Sequence, residues 1–377
     1  MNILVDIRLL SRGNTSGIEE YTNNLLMNML AIDKENKYSF FYNGIRVKKL
    51  DFNFQTQNRP KIINWRIPNK LLDVTTRFFN FPNIDKFAKN DLIFSPHFNI
   101  LKSQNPRIIT FHDLSFVHHP YFFRNRQKFW HWLQDYKTQA LNATKIIANS
   151  EFTKCDIINT LKIPEEKIKT IYPGINPDFK KITNQKEIQD FRTKHKIDYP
   201  FILYLGTLEP RKNITAIIRA FSLLRQSQTE FKNLRLILAG KPGWLYKNIL
   251  DEAKNSKSKE NIIFWGPVEN NKRVFLYNLA EVFIYPSFFE GFGFPPLEAQ
   301  NCGCPIIVSN RTSLPEIIND SRILIDPWRI DELIEKLKNI LTDETLKKKI
   351  IEDGFINAKR FNWQYSALET LKFFNSV

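Results

Sequence analysis

Short runs of consecutive apolar residues punctuate this chain, and a run that is apolar on both faces marks a strand buried inside a parallel sheet. The first, ILVDIRLL at residues 3–10, reads as a strand. It precedes IEEYTNNLLMNMLAI (18–32), whose apolar positions recur at helical spacing. KYSFFYN, DLIFSPH, PRIITFHD and TKIIANS predict four further strands. Around Pro173 the texture changes, because YPGINPDFKKITNQKE is polar and proline-bearing and reads as an inter-domain linker. A second series follows: strand PFILYLG, helix ITAIIRAFSLLRQ, strand LRLILAG, helix WLYKNILDEAK, and strands NIIFWG and EVFIYPS. Strand and helix alternate in both halves, which predicts an α/β protein of two doubly wound Rossmann-like domains facing across a cleft. The expected domains are 1–172 completed by 360–377, and 173–359. The closing FNWQYSALETLKFFNSV has helical periodicity and is expected to return to the first domain.

Composition narrows the class. An apolar content of 42% and a charged content of 25% are ordinary for a globular protein. No apolar run reaches the length of a membrane-spanning helix. Asp6 and Arg8 fall inside what would be a signal peptide's apolar core, so the first segment reads as a strand and the expected location is cytoplasmic. Cys155, Cys302 and Cys304 form neither a disulfide framework nor a zinc site, and packing is the expected use of the last two.

The net charge of +16 leans toward the first half, where 25 lysines and arginines up to Tyr172 face 15 acids. Nucleic acid, an anionic membrane or an anionic substrate would each suit it. No zinc module, RNA-binding motif or concentrated basic arm supports nucleic acid. HPYFFRNRQKFWHWLQDYK (119–137) mixes aromatics with cations and is a candidate for contact with a lipid-linked acceptor at the inner face of a membrane, as are the basic and aromatic residues between Arg46 and Lys89. A helix with a solvated basic face accounts for the same pattern.

The most informative chemistry lies in FFEGFGFPPLEAQ (288–300), after the last strand of the second series. Gly291 and Gly293 keep the backbone bare, and Pro295 and Pro296 suit a first helical turn. A glycine loop opening a helix directs N–H groups at the positive end of the helix dipole, which favours a phosphate. Glu290 precedes the loop and Glu298 is expected in the first helical turn. Carboxylates beside a phosphate are better suited to accept hydrogen bonds from sugar hydroxyls. Phosphate between two such acids describes a nucleotide-sugar.

The second segment is LGTLEPRKNI (205–214), where Arg211 and Lys212 lie near a helix start. A cation there is unfavourable unless an anion joins it, so the pair is a candidate clamp for a diphosphate. In the first half, His112 follows strand RIITF. Lone histidines at strand ends are more often structural, but Asp113 follows this one and a strand's carboxyl end is where ligands bind. The expected role is a hydrogen bond donated to sugar or acceptor. His118, His119 and His131 carry no assignment. RGNTSG after the first strand does not fit the G-x-G-x-x-G of a dehydrogenase.

Together GTLEPRKN, the Glu290-to-Glu298 spacing, CGCPIIVSNRTSLPEI, the terminal helix with Trp363, SGIEEYTNNLL and TFHDLSFVHHP bring a family into view. Over nearly its whole length the chain resembles the retaining glycosyltransferases of family 4, which have the GT-B fold. Within that family it is most similar to bacterial mannosyltransferase-like enzymes of surface-polysaccharide synthesis. The resemblance implies a nucleotide-diphosphate sugar as donor, GDP-mannose above all. It also implies a glycan or polyprenyl-diphosphate-linked acceptor. It assigns Arg211 and Lys212 to the donor diphosphate, Glu290 to donor-sugar hydroxyls and Glu298 to ribose hydroxyls. The amides of Phe292, Gly293 and Phe294 go to phosphate and sugar, and Gly17 allows the backbone to approach the donor. His112 falls near the transferred sugar. GKPGW (240–244) and WGPVEN (265–270) would line the base pocket. No Asp-x-Asp metal motif occurs, so no metal and no cofactor are expected, and front-face attack with retention is implied. A donor carrying UDP or dTDP, or an inactive scaffold of the same fold, are the alternatives.

Overall fold

The computed structural model describes residues 1–12, 17–44, 60–227 and 229–377. Residues 13–16 of the RGNTSG segment and 45–59 of the basic stretch after Arg46 lie outside the described residues. The chain divides into two units. The first is Met1–Gly174 with Asn362–Val377, and the second is Ile175–Phe361, so each boundary falls two residues later than expected.

In the first unit β1 (Asn2–Asp6), β2 (Lys37–Phe41), β3 (Lys61–Ile63), β4 (Leu92–Ser95), β5 (Arg107–Phe111), β6 (Lys145–Ala148) and β7 (Ile168–Thr170) form one sheet. Its order is β3-β2-β1-β4-β5-β6-β7, and every pairing is parallel. The second unit carries β8 (Phe201–Leu205), β9 (Arg235–Ala239), β10 (Ile262–Gly266), β11 (Val282–Tyr285), β12 (Ile306–Ser309) and β13 (Leu324–Ile325). Their order is β10-β9-β8-β11-β12-β13, again all parallel. In each sheet the order reverses beside the first strand, which creates the switch point where doubly wound sheets bind ligands.

The first strand stops at Asp6, short of the predicted Leu10, for a local reason. The Arg8 amide hydrogen-bonds Asp6 Oδ1 at 3.1 Å, and the guanidinium grips the same carboxylate at 2.9 and 2.7 Å. That turn bends the chain into a 3₁₀ segment at Arg8–Arg12. Arg8 also reaches Asp73 at 3.3 Å and the Ile100 carbonyl at 2.8 Å, while Gln134 donates to Asp73 at 2.8 Å. All four side chains are buried, so this polar knot fastens the helices Asn69–Phe79 and Asn125–Gln134 to β1.

The terminal helix Trp363–Phe374 packs on helix Gly17–Ile32 within the first unit. Its Phe374 ring lies 5.1 Å from Phe94 of β4. Gly174 is fixed beside it, because a Cβ there would fall 2.2 Å from the Trp363 amide.

Candidate functional site

The carboxyl ends of β8, β9 and β10 are tied by backbone alone. Gly206 N–H donates to the Ala239 carbonyl at 3.0 Å and Gly240 N–H to the Gly266 carbonyl at 2.8 Å. Gly240 sits at φ +145°, and a Cβ there would lie 1.8 Å from the Gly206 carbonyl oxygen, so no side chain fits. GKPGW and the start of WGPVEN therefore meet their neighbours at these points through main chain rather than side chains.

Across the switch point β8 and β11 are neighbours, and their following loops interlock. The chain after β8 makes a 3₁₀ turn, Pro210–Lys212, and enters helix Ile214–Ser227. The Phe288 N–H donates to the Arg211 carbonyl at 2.9 Å, and Arg211 Nη1 donates to the Phe289 carbonyl at 3.3 Å. Arg211 also pairs with Glu209 at 3.2 Å. Lys212 and Glu290 meet at 2.5 Å with both side chains only 8% exposed, and Lys212 Nζ donates a second bond to the Tyr285 hydroxyl at 2.8 Å.

Burial favours the neutral form of each partner of this pair. For Glu290 that pressure is outweighed by Lys212 and then Arg211, so its carboxyl is held below the usual range. Burial and the Arg211 charge hold Lys212 below its usual value against the pull of Glu290. An ammonium has three protons, and two are used here.

The glycine loop is shaped from the next crossover. The Glu290 N–H donates to Thr312 Oγ1 at 3.0 Å, and the Ser313 hydroxyl donates to the Glu290 carbonyl at 2.9 Å. Thr312 has φ +56°, a left-handed conformation that is costly for a β-branched residue. Gly293, at φ +99°, leads into helix Phe294–Asn301, and a Cβ there would meet Leu314 at 2.7 Å. Gly291 and Phe292 complete the loop, with the Phe292 ring 5.0 Å from that of Phe294.

Glu298 departs from expectation. Because the helix begins at Phe294, Glu298 is its fifth residue, one turn in, and the first turn carries no acid. It is buried, and Oε2 accepts from Arg273 Nη2 and, at 2.9 Å, from the Tyr277 hydroxyl.

In the first unit, neighbouring strands build a second cluster. Pro96 follows β4, His112 follows β5 and Asn149 is the first residue after β6. His112 Nε2 lies 2.8 Å from the Pro96 carbonyl, which can only accept, so Nε2 carries the proton. Asn149 Nδ2 then donates to Nδ1 at 2.7 Å. Tyr21 stands edge-on to the ring at 4.9 Å and His97 lies 5.7 Å away. Both ring nitrogens are thus engaged within the unit, and the donor expected to reach sugar or acceptor is held by Pro96. Asp113 turns away to cap Ser115 at 2.9 Å. Gly17 opens helix Gly17–Ile32 and is exposed. His118 pairs with Asp156 at 2.7 Å, and His131 stacks on Phe116 at 4.1 Å. Cys302 and Cys304 are buried, and burial pushes both thiols up. Among the described residues no group of three His, Cys, Asp or Glu side chains is disposed to hold a metal ion.

Comparison with known proteins gives this geometry a family. Residues 185–355 match the model for "Glycosyl transferases group 1", and residues 37–179 match "Glycosyltransferase Family 4". O-antigen chain mannosyltransferase B of Escherichia coli is 30% identical over 287 residues, covering 75% of this chain and 74% of that protein. The chain belongs to glycosyltransferase family 4. Sucrose-phosphate synthase from Thermosynechococcus elongatus superposes on this glycosyltransferase with a TM-score of 0.78 at 18% identity, covering 100% of this chain and 98% of the other. Anabaena HepE, solved with UDP-glucose, gives 0.76 at 16% identity over 100% of both. The paired Rossmann-like sheets are the GT-B fold.

Several residues that build the site carried no assignment in the sequence. Tyr285 was legible only as the end of a strand, and Thr312 and Ser313 only as part of a family motif. Arg273, Tyr277 and Asn149 had no local signal.

The His112 environment has a consequence for stability. Burial pulls its pKa down to about 4, against the opposing Pro96 carbonyl and Asp113 charge. An unfolded imidazole protonates near 6.5, so between pH 6.5 and 4 the unfolded glycosyltransferase binds more protons and stability falls as pH drops. The loss from this group is on the order of 2–3 kcal/mol. Denaturant melts of wild type and His112→Gln at pH 7 and pH 4.5 are expected to show the wild-type advantage shrinking at the lower pH. An advantage independent of pH would contradict a buried imidazole held neutral.

Proposed function

We propose that this glycosyltransferase moves a hexose, mannose from GDP-mannose, to a glycan or polyprenyl-diphosphate-linked acceptor in surface-polysaccharide synthesis. The anomeric configuration is retained and no metal ion takes part. The observation that carries this reading is the buried Lys212–Glu290 pair beside Arg211, at the switch point and next to the opening of helix Phe294–Asn301. The third proton of Lys212, together with Arg211, suits the oxygens of a diphosphate. Those cations and the helix dipole supply the charge that a metal would otherwise bring. Glu290 is suited to accept from donor-sugar hydroxyls. Glu298 uses Oε2 for its protein partners, which leaves Oε1 for a ribose hydroxyl. The amides of Phe292, Gly293 and Phe294, and the backbone at Gly17, complete the proposed donor contacts.

In the reaction the bond from the sugar C1 to the diphosphate oxygen breaks, and the acceptor oxygen bonds C1 on the same face. The acceptor's proton passes to the departing phosphate oxygen. His112 acts in this reading by shaping the Pro96 and Asn149 loops, since both its nitrogens are committed.

Mannose as the transferred sugar draws on the Escherichia coli relative, whose name is a mannosyltransferase. A UDP- or dTDP-sugar is the second reading, and Anabaena HepE, solved with UDP-glucose, is the structural neighbour that suggests it. The test is to incubate the protein with GDP-mannose, UDP-glucose and dTDP-glucose, each with a polyprenyl-diphosphate-linked glycan acceptor, and to read the product by proton NMR. Mannose transferred with an α linkage, in EDTA as well as without it, is the expected result. Transfer from UDP- or dTDP-glucose alone would favour the second reading, and a β product would exclude front-face attack.

A further inference from the structure

Two helices of the first unit leave an aromatic face uncovered. In helix Asn69–Phe79, Leu72, Asp73 and Thr76 are buried, whereas Leu71, Phe78 and Phe79 are exposed, Phe79 by 74%. In helix Asn125–Gln134, Leu133 and Gln134 are buried while Phe129 and Trp132 are exposed by 57% and 51%. The two exposed sets adjoin: Trp132 lies 6.2 Å from Phe78 and 5.5 Å from Phe129, ring centre to ring centre. Single exposed apolar residues are normal, but a contiguous aromatic patch marks an interaction surface.

The exposed charges that these two helices carry have one sign. They are Lys70, Arg126 and Lys128. The acids are already committed, Asp73 to Arg8 in the interior and Asp135 to Arg77, whose guanidinium also lies over the Trp132 ring at 5.9 Å. The Asp73–Gln134 bond locks the two helices together, so the face exists before any partner arrives.

From this placement we propose that the face docks on an anionic lipid bilayer surface. Phe and Trp side chains insert at the headgroup level, and Lys70, Arg126 and Lys128 meet the lipid phosphates. A second copy of the chain is a poor occupant, because a two-fold contact would set these cations against themselves. Among the described residues no helix is long and apolar enough to cross a membrane, so attachment through this face is peripheral. The same helix carries Trp130, stacked on His97 beside His112. If the proposed lipid-linked acceptor is correct, docking holds the His112 cluster within reach of the bilayer. The docking itself does not depend on that reading.

The experiment is co-sedimentation of the full chain with vesicles of phosphatidylcholine containing about one-third phosphatidylglycerol, and with phosphatidylcholine alone. Binding to the anionic vesicles is expected to be at least tenfold tighter and to weaken severalfold between 50 and 500 mM salt. Phe79→Glu with Phe129→Glu is expected to lose at least tenfold in binding, and Lys70→Glu with Lys128→Glu to lose the preference for anionic lipid. GDP binding should be unchanged in both, which separates docking from the donor site. Equal binding to both vesicles, or wild-type binding by both variants, would overturn the proposal. So would a wild-type dimer that these substitutions dissociate while no vesicles are bound.

Discussion

Lys212→Ala is expected to lower kcat/KM by on the order of 10²–10³-fold, the loss typical of removing one preorganised group that stabilises developing charge. The substitution does two things at once. It removes a cation of the proposed diphosphate site, and it leaves the Glu290 carboxylate buried with no ammonium at 2.5 Å. An uncompensated acid beside the diphosphate site repels the ligand, so both KM and kcat suffer. Glu290→Ala is expected to lose a comparable factor by a different route. Lys212 keeps its Tyr285 bond, and an arriving diphosphate replaces the Glu290 counter-charge that holds its ammonium protonated, so nucleoside diphosphate binding survives while kcat collapses for want of a sugar-hydroxyl acceptor. Steady-state kinetics with binding measured in parallel would separate the two. Near-normal turnover in either variant would contradict the donor-site assignment.

Arg8→Ala is the substitution expected to damage stability most. Arg8 compensates Asp6 and Asp73 at once, in a site where Arg8 and Asp6 are 3% and 1% exposed. Removing one member of a buried ionic cluster costs about 3–5 kcal/mol, because the remaining charges stay desolvated and unpaired. For a unit of this size that is a fall in Tm of roughly 10 °C. The triple substitution Arg8→Met, Asp6→Asn and Asp73→Asn is expected to recover much of the loss, since it removes the three paired charges together. Calorimetric melts of the three proteins decide the matter. A triple variant no more stable than Arg8→Ala would show that packing around the guanidinium, rather than charge, holds the first unit together.

The two largest effects lie in different units and were unequally legible. Arg211, Lys212 and Glu290 stood out because each sits on a short motif whose chemistry is local: cations before a helix start, and an acid before a glycine loop. Their meeting follows once β8 and β11 are neighbours in a doubly wound sheet. Arg8 gave no such signal. ILVDIRLL reads as one unbroken strand, and nothing in it announces that Asp6 will accept the Arg8 amide and turn the chain.

Three of the edge strands were also hidden. KII of β3, IKT of β7 and LI of β13 are too short to make a pattern against their polar flanks. The surroundings of Glu298 and His112 were hidden for a shared reason. Their orientation is set by partners that sequence does not place beside them: Arg273 on an earlier helix, and Pro96 and Asn149 at the ends of adjacent strands. Periodicity reports which face of an element is buried, but not which polar group waits there. The aromatic face was half legible, since HPYFFRNRQKFWHWLQDYK was conspicuous while its partner helix Asn69–Phe79 was only part of a broad basic stretch.

Arg211, Lys212 and Glu290 are proposed to form a donor site that recognises a nucleoside diphosphate without a metal. Isothermal titration of the protein with GDP, UDP, dTDP and ADP, each with and without EDTA, tests it most directly. One diphosphate, GDP, is expected to bind more tightly than the others, EDTA to leave its affinity unchanged, and Lys212→Ala to abolish the heat. No binding by any of the four, or binding that EDTA removes, would contradict it.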